Sequence, residues 1–482
     1  MSIVQTIRFK IEHKYFAGFL QAAIDESGVK GSVEQNGKTI TLILSEEDPK
    51  ALERFSTYTQ KYLPHSIFLG EIRTERADTQ PKAERFRSPV YALAPCPRCL
   101  EEITDPASER FLDDTVVCTH YANDEVYEDQ DSTYFSPHFN GNDTVLLCDT
   151  SKVRELFLVT DEEINALFSI EKPTLKVTVK DPELQTLTGK KFLRLKAPYN
   201  VKSVLAALNA KESGITTLFF DERDGEPDAV LVQEHLHMIY DNRISASLEP
   251  LHEDPVLNRF LNVRKEAGVS EAIGAYLSRR HGVSFPVAND IGVKKAILFH
   301  PFSLGKTIAQ MQSDSRRKRL LENFSERFPE TAQKLNESSD ESIDLFTTIA
   351  LILGLDDPGF EALSDKALEF HGNGGLKIDM QFKEGDFDYA AMIGSIMSFR
   401  LAGTDPHYLA YSIFEAYGDM VVSVLGQLKR QFKIDSFLLM GDLFANSVLF
   451  SRILSKFQIS QPYFSNRIAL DSSPTRYSEG SI

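Results

Sequence analysis

The sequence predicts an α+β chain of several domains. Three observations carry this. Strand and helix signals in the first 72 residues follow the order β-α-β-β-α-β. Three of the four cysteines cluster between positions 96 and 118. The residues after 250 show mainly helical periodicity.

Bulk properties narrow the class. A chain of 482 residues corresponds to roughly three domains at about 150 residues each. Hydrophobic residues make up 42% and charged residues 26%, as in ordinary globular proteins. The net charge of -17 argues against nucleic acid or an anionic membrane as the main partner. The basic run Arg316-Arg317-Lys318-Arg319 reads as a solvated helix face. The opening residues MSIVQTIRFK hold no apolar signal core, and no run approaches the ~20 apolar residues that span a bilayer. The expectation is a cytoplasmic protein without membrane insertion.

Taken in order, Val4 to Ile11 alternates as a strand and Phe16 to Ser27 has a helical apolar face, closed by Gly28. Asn36-Gly37 between apolar runs marks a hairpin. Asp48-Pro49 opens a helix through Tyr62, and Phe68 to Ile72 closes the unit as a strand. This is the ferredoxin-like plan. Thr74 to Arg87 reads as a linker.

Cys96-Pro97-Arg98-Cys99 is a tight thiol pair, followed after eighteen residues by Cys118, with His120 beyond it. Soft sulfur ligands at this spacing suit structural zinc. The set is Cys96, Cys99 and Cys118, with His120 or Cys148 as the fourth ligand. Asp124 to Asp131 reads as an acidic loop. Strands are expected at Thr144 to Cys148, Lys172 to Val177 and Ile215 to Phe220, and helices after Thr160 and over Ser203 to Asn209. His235 and His237 share one face of a strand and read as a structural pair. Helices are expected over Leu257 to Glu266, Ser270 to Arg279, Arg316 to Phe328 and Ser342 to Leu353. Leu304-Gly305-Lys306-Thr307 is no P-loop, because His300 stands where the first glycine must wrap phosphate.

Several of these stretches resemble one family. The N-terminal order and turns are similar to the acylphosphatase-like domain that opens HypF proteins, the carbamoyltransferases of nickel-iron hydrogenase maturation. There an arginine binds the acyl phosphate and an asparagine orients water; here Ala17 and Gln35 stand at those positions. The cysteine stretch resembles the family's first zinc module, with Cys96, Cys99, Cys118 and Thr119 in place and Tyr121 at the last cysteine. Thr160 to Val177 resembles part of the family's ATP-using YrdC-like domain. Ile343 to Leu355, Phe360-Glu361-Ala362, Leu409 to Gly418 and Phe437 to Asn446 resemble its C-terminal domain.

The resemblance implies an acylphosphatase-like domain over 1–92, a zinc-finger-like module over 93–125, a reduced YrdC-like α/β domain over 126–250 and an ASKHA-type (sugar kinase/actin-like) domain over 251–482. It also shows departures. Met440-Gly441-Asp442 stands where the family's S-G-G lets backbone amides approach a nucleotide phosphate; Asp442 brings negative charge there. Thr347 and Phe414 stand at an aspartate and a histidine, and Leu470-Asp471-Ser472-Ser473 loses two glycines. A new metal site of Asp442 with Asp471 is outweighed by the reading of two solvated surface carboxylates. The expectation is a HypF-like accessory protein, a scaffold or binding subunit without use of ATP and Mg, whose partners are hydrogenase maturation proteins or a hydrogenase subunit. The alternatives are an active ATP-dependent carbamoyltransferase and an interaction protein unrelated to hydrogenase.

Overall fold

The computed structural model describes residues 1–91, 93–115, 118, 120–122, 133–139, 141, 144–221, 228–233, 235–239, 248–279, 281–338, 343–383, 385–457 and 461–465. The chain divides into two compact units, Met1–Ala246 and Ser247–Ile482.

The first unit opens with β1 (Ser2–Phe9), α1 (Tyr15–Ser27), β2 (Gly31–Asn36), β3 (Thr39–Ser45), α2 (Pro49–Tyr62) and β4 (Leu69–Ala77). The strands form an antiparallel sheet in the order β2-β3-β1-β4, so the expected element order is present. Local signals explain the boundaries. Gly28 ends α1 in the left-handed conformation, φ 68°. The Asp48 side chain accepts from the amides of Lys50 and Ala51 ahead of Pro49. Phe9, Tyr15, Phe16, Phe19 and Leu42 pack between sheet and helices, and Cys96, Cys99, Ile103, Cys118 and Tyr121 belong to the same apolar core.

After α3 (Pro97–Thr104) come β5 (Thr144–Leu147), α4 (Val153–Leu156), β6 (Phe157–Leu158), α5 (Asp161–Leu167), β7 (Leu175–Val179), α6 (Pro182–Thr188), β8 (Phe192–Lys196), α7 (Val201–Glu212), β9 (Thr217–Phe220), β10 (Ala229–Val232) and β11 (His235–Met238). They build a mixed sheet in the order β11-β10-β7-β8-β5-β9, with β6 also on β7. The capping box at Thr160 and Glu163 opens α5 as expected. Asp124 to Asp131 lies outside the described residues.

The second unit holds α8 (Pro255–Ala267), β12 (Ala272–Ser278), β13 (Gly282–Asn289), β14 (Gly292–Leu298), α9 (Leu304–Ser313), α10 (Ser315–Arg327), α11 (Pro329–Glu337), α12 (Leu345–Leu353), α13 (Phe360–Leu368), β15 (Phe382–Lys383), β16 (Asp386–Phe387), α14 (Tyr389–Leu401), α15 (Pro406–Phe432), β17 (Phe437–Met440) and α16 (Ser447–Lys456). Its main sheet runs β14-β13-β12-β17, with β12 and β17 parallel.

One expectation is corrected here. The stretch expected as a helix over Ser270 to Arg279 is the central strand β12, buried along its whole length. A run that is apolar throughout carries neither a period of 3.6 nor one of 2. Gly274 fits the strand, because a Cβ there would lie 2.8 Å from Pro286 Cγ and 2.9 Å from the Phe260 ring. Among the described residues no helix is long and apolar enough to cross a membrane.

Candidate functional site

Three places carry the chemistry that the sequence singled out. The first is the thiol cluster. Cys96 caps α3 and its Sγ accepts from the Cys99 amide at 3.5 Å. The Sγ atoms of Cys96, Cys99 and Cys118 all lie within 4.8 Å of one another, and all three residues are buried. The neighbouring sulfurs of Cys118 and Cys99, with the Cys99 amide, lower the pKa of Cys96, while the same neighbours and burial raise those of Cys99 and Cys118. Sulfurs bound to one zinc at ~2.3 Å sit about 3.8 Å apart, so the trio needs to close by about an ångström at most. The donor set fits a soft ion.

The fourth position is different. Cys148 lies apart at the end of β5, in another apolar cluster, its Sγ 3.7 Å from the Leu146 carbonyl oxygen. His120 stands beside the trio but is not within its reach; its Nε2 lies 3.3 Å from Glu102 Oε1. Tyr121 is not turned toward the sulfurs. Its hydroxyl donates to the Tyr91 carbonyl at 2.6 Å and accepts from the Tyr91 amide at 2.7 Å.

The second place is the turn before α1. Ala17 is fully buried in the helix and offers no donor. Gln35 Nε2 donates to the His13 and Gly37 carbonyls at 3.2 and 3.0 Å. The Lys14 amide donates to the Tyr91 hydroxyl at 3.0 Å, and the His13 ring stacks on Tyr91 at 4.8 Å. These bonds occupy the Gln35 amide nitrogen and the Lys14 backbone N–H, while Lys14 stays exposed and Gln35 Oε1 is buried with no hydrogen-bond partner among the described residues.

The third place lies where β12 and β17 end side by side. Open sheets bind ligands beyond the carboxyl ends of parallel strands. Gly441 turns the chain there with φ 107°, and a Cβ would meet the Leu277 carbonyl oxygen at 2.1 Å. Asp442 follows and is 1% exposed. This corrects the reading of a solvated surface carboxylate. Its two oxygens accept from the Arg279 amide and Nε, both at 2.8 Å, and the Arg279 guanidinium lies 4.6 Å from the Phe360 ring centre. Phe414 is buried against Phe346 and Phe360, and the Thr347 hydroxyl donates to Asp344, the α12 cap. Leu470 to Ser473, including Asp471, lies outside the described residues. Sequence reading missed Arg279 because its partner is 163 positions away; the only local signal was an arginine closing an apolar run.

The remaining candidates behave as ordinary structure. His235 and His237 lie on β11, and among the described residues only Cys96, Cys99 and Cys118 group as possible metal ligands. Leu304 to Thr307 begins α9, with Ser303 as cap. In the basic run, Arg317 pairs with Asp388 at 2.9 Å.

No protein-family model matches the chain. Protein HydE of Wolinella succinogenes is 24% identical over 343 residues, covering 64% of this chain. The chain spans 62% of that relative's length. Two solved structures match in fold, each at 13% identity and covering 97% of this chain and 96% of theirs. They are full-length HypF in its phosphate- and nucleotide-bound form, with a TM-score of 0.55, and HypF of T. kodakarensis, with a TM-score of 0.64. Over 97% of its length the chain has the fold of HypF, as the sequence motifs anticipated.

Proposed function

We propose that this chain is a HypF-like accessory protein of nickel-iron hydrogenase maturation that binds partners rather than transferring carbamoyl groups. The observation that carries this reading is Asp442. Where the family resemblance puts a glycine facing a nucleotide phosphate, the chain has a buried carboxylate already neutralised by Arg279. A phosphate entering there would bring a second negative charge against that buried carboxylate, which is costly in a buried site. Ala17, Phe414 and Thr347 support the same reading: Ala17 lacks the cation that binds acyl phosphate in the family, and Phe414 and Thr347 replace a histidine and an aspartate with side chains that do not titrate.

The four-part organisation goes with this proposal: acylphosphatase-like over 1–92, zinc-finger-like over 93–125, reduced YrdC-like over 126–250 and ASKHA-type over 251–482. So do a structural zinc on Cys96, Cys99 and Cys118, completed by His120 once it turns from Glu102, and a cytoplasmic location. Zinc would supply cross-linking of the knuckle and no chemistry. The partners are maturation proteins or a hydrogenase subunit.

Deleting the gene and following nickel-iron hydrogenase activity tests the role. Activity should fall, and wild-type and Asp442→Gly genes should both restore it. Unchanged activity after deletion would overturn the proposal.

A further inference from the structure

Tyr121 links two places that the sequence treats as unrelated, the thiol cluster and the turn before α1. Its hydroxyl grips both backbone polar groups of Tyr91. Tyr91 in turn covers the turn, accepting the Lys14 amide and carrying the stacked His13 ring. The same tyrosine is fixed from behind. Its carbonyl oxygen lies 2.2 Å from where a Cβ on Gly18 would sit, so it packs directly on the α1 backbone, and its ring lies 4.9 Å from that of Phe19. Tyr121 is three residues beyond Cys118, whose Sγ lies within 4.8 Å of those of Cys96 and Cys99.

We propose that this Cys118–Tyr121–Tyr91–Lys14 chain is a clasp, set by a metal ion on the three thiols, which holds Tyr91 over the His13–Lys14 turn. It rests on the metal reading above. An ion fixes Cys118, and with it the short knuckle that carries Tyr121. With the ion removed, the three sulfurs are no longer tied to one centre and the knuckle loses its anchor. Tyr121 then no longer pins the Tyr91 backbone. Tyr91 leaves the turn, and the Lys14 amide is opened to water. The metal thereby governs access to a surface it does not touch.

Hydrogen exchange resolved to single amides tests this in the full chain, with zinc content measured on the same samples. In the zinc-loaded protein the Lys14 amide should exchange slowly. Chelation should speed it by about fivefold or more, the change expected for one neutral hydrogen bond. Tyr121→Phe keeps the ring packing and loses only the hydroxyl. It should speed Lys14 exchange similarly, after which chelation should add little. Tyr91→Phe removes the acceptor itself and sets the upper limit. If Tyr121→Phe speeds the Tyr91 amide alone and leaves Lys14 slow, the clasp is overturned. If chelation strips the zinc and Lys14 stays slow, its coupling to metal is overturned while the metal site stands. Uptake below about half an equivalent of zinc overturns the metal reading and the coupling with it.

Discussion

Arg279 and Asp442 show how much one pair can decide. The carboxylate is 1% exposed and the guanidinium side chain 25% exposed. Removing the cation would leave a buried charge without this partner, a change that costs about 3–5 kcal/mol in comparable sites. Arg279→Ala should therefore lower the urea midpoint of unfolding sharply, whereas Arg279→Lys should cost less, because it keeps the charge; the backbone donor to Asp442 stays in both variants. Equal losses in the two variants would mean that charge is not the issue. His237 gives a second residue-scale prediction. Burial lowers its pKa from 6.5 to about 4, so the unfolded chain binds more protons between those values. Its stabilising contribution is complete above pH 6.5 and is lost as pH falls toward 4, by about 3 kcal/mol in all. Unfolding free energy measured from pH 7 to 4 should show this slope, and His237→Phe should flatten it.

At the scale of elements, caps and glycines set the boundaries. The Thr160–Glu163 capping box closes the start of α5, and Thr160→Ala should cost about 1 kcal/mol in urea unfolding. Gly441→Ala should cost more, because alanine at this positive φ is penalised by about 1–3 kcal/mol and the added Cβ meets the Leu277 carbonyl. A Gly441→Ala variant as stable as wild type would contradict the tight β17 turn. These boundary signals are local, which is why the N-terminal element order, Asp48, Thr160 and Gly28 were all legible in the sequence. β12 was not. Its residues from Ala272 to Leu277 are apolar without interruption, and only β13 on one side and β17 on the other make it a strand. Tyr91, Tyr121, Arg279 and Asp442 share that difficulty. Each side chain was visible, but its partner is set by tertiary packing across 30 or 163 positions.

For the molecule as a whole, the fold is shared with HypF while the proposed loss of its chemistry rests on single positions. The apolar framework gives the fold of HypF across 97% of the chain, while the sequence resemblance puts Ala17 and Asp442 at positions where the family binds phosphate and Phe414 at a family histidine. The cysteine stretch shows both tendencies at once: three sulfurs remain together, and Tyr121 has become an internal strut. The central proposal is that Asp442 stands where the family binds a nucleotide phosphate. Calorimetric titration of the purified full chain with ATP and magnesium tests it most directly. The account predicts no binding at millimolar ATP; saturable binding of one ATP per chain, weakened in Arg279→Ala, would contradict it.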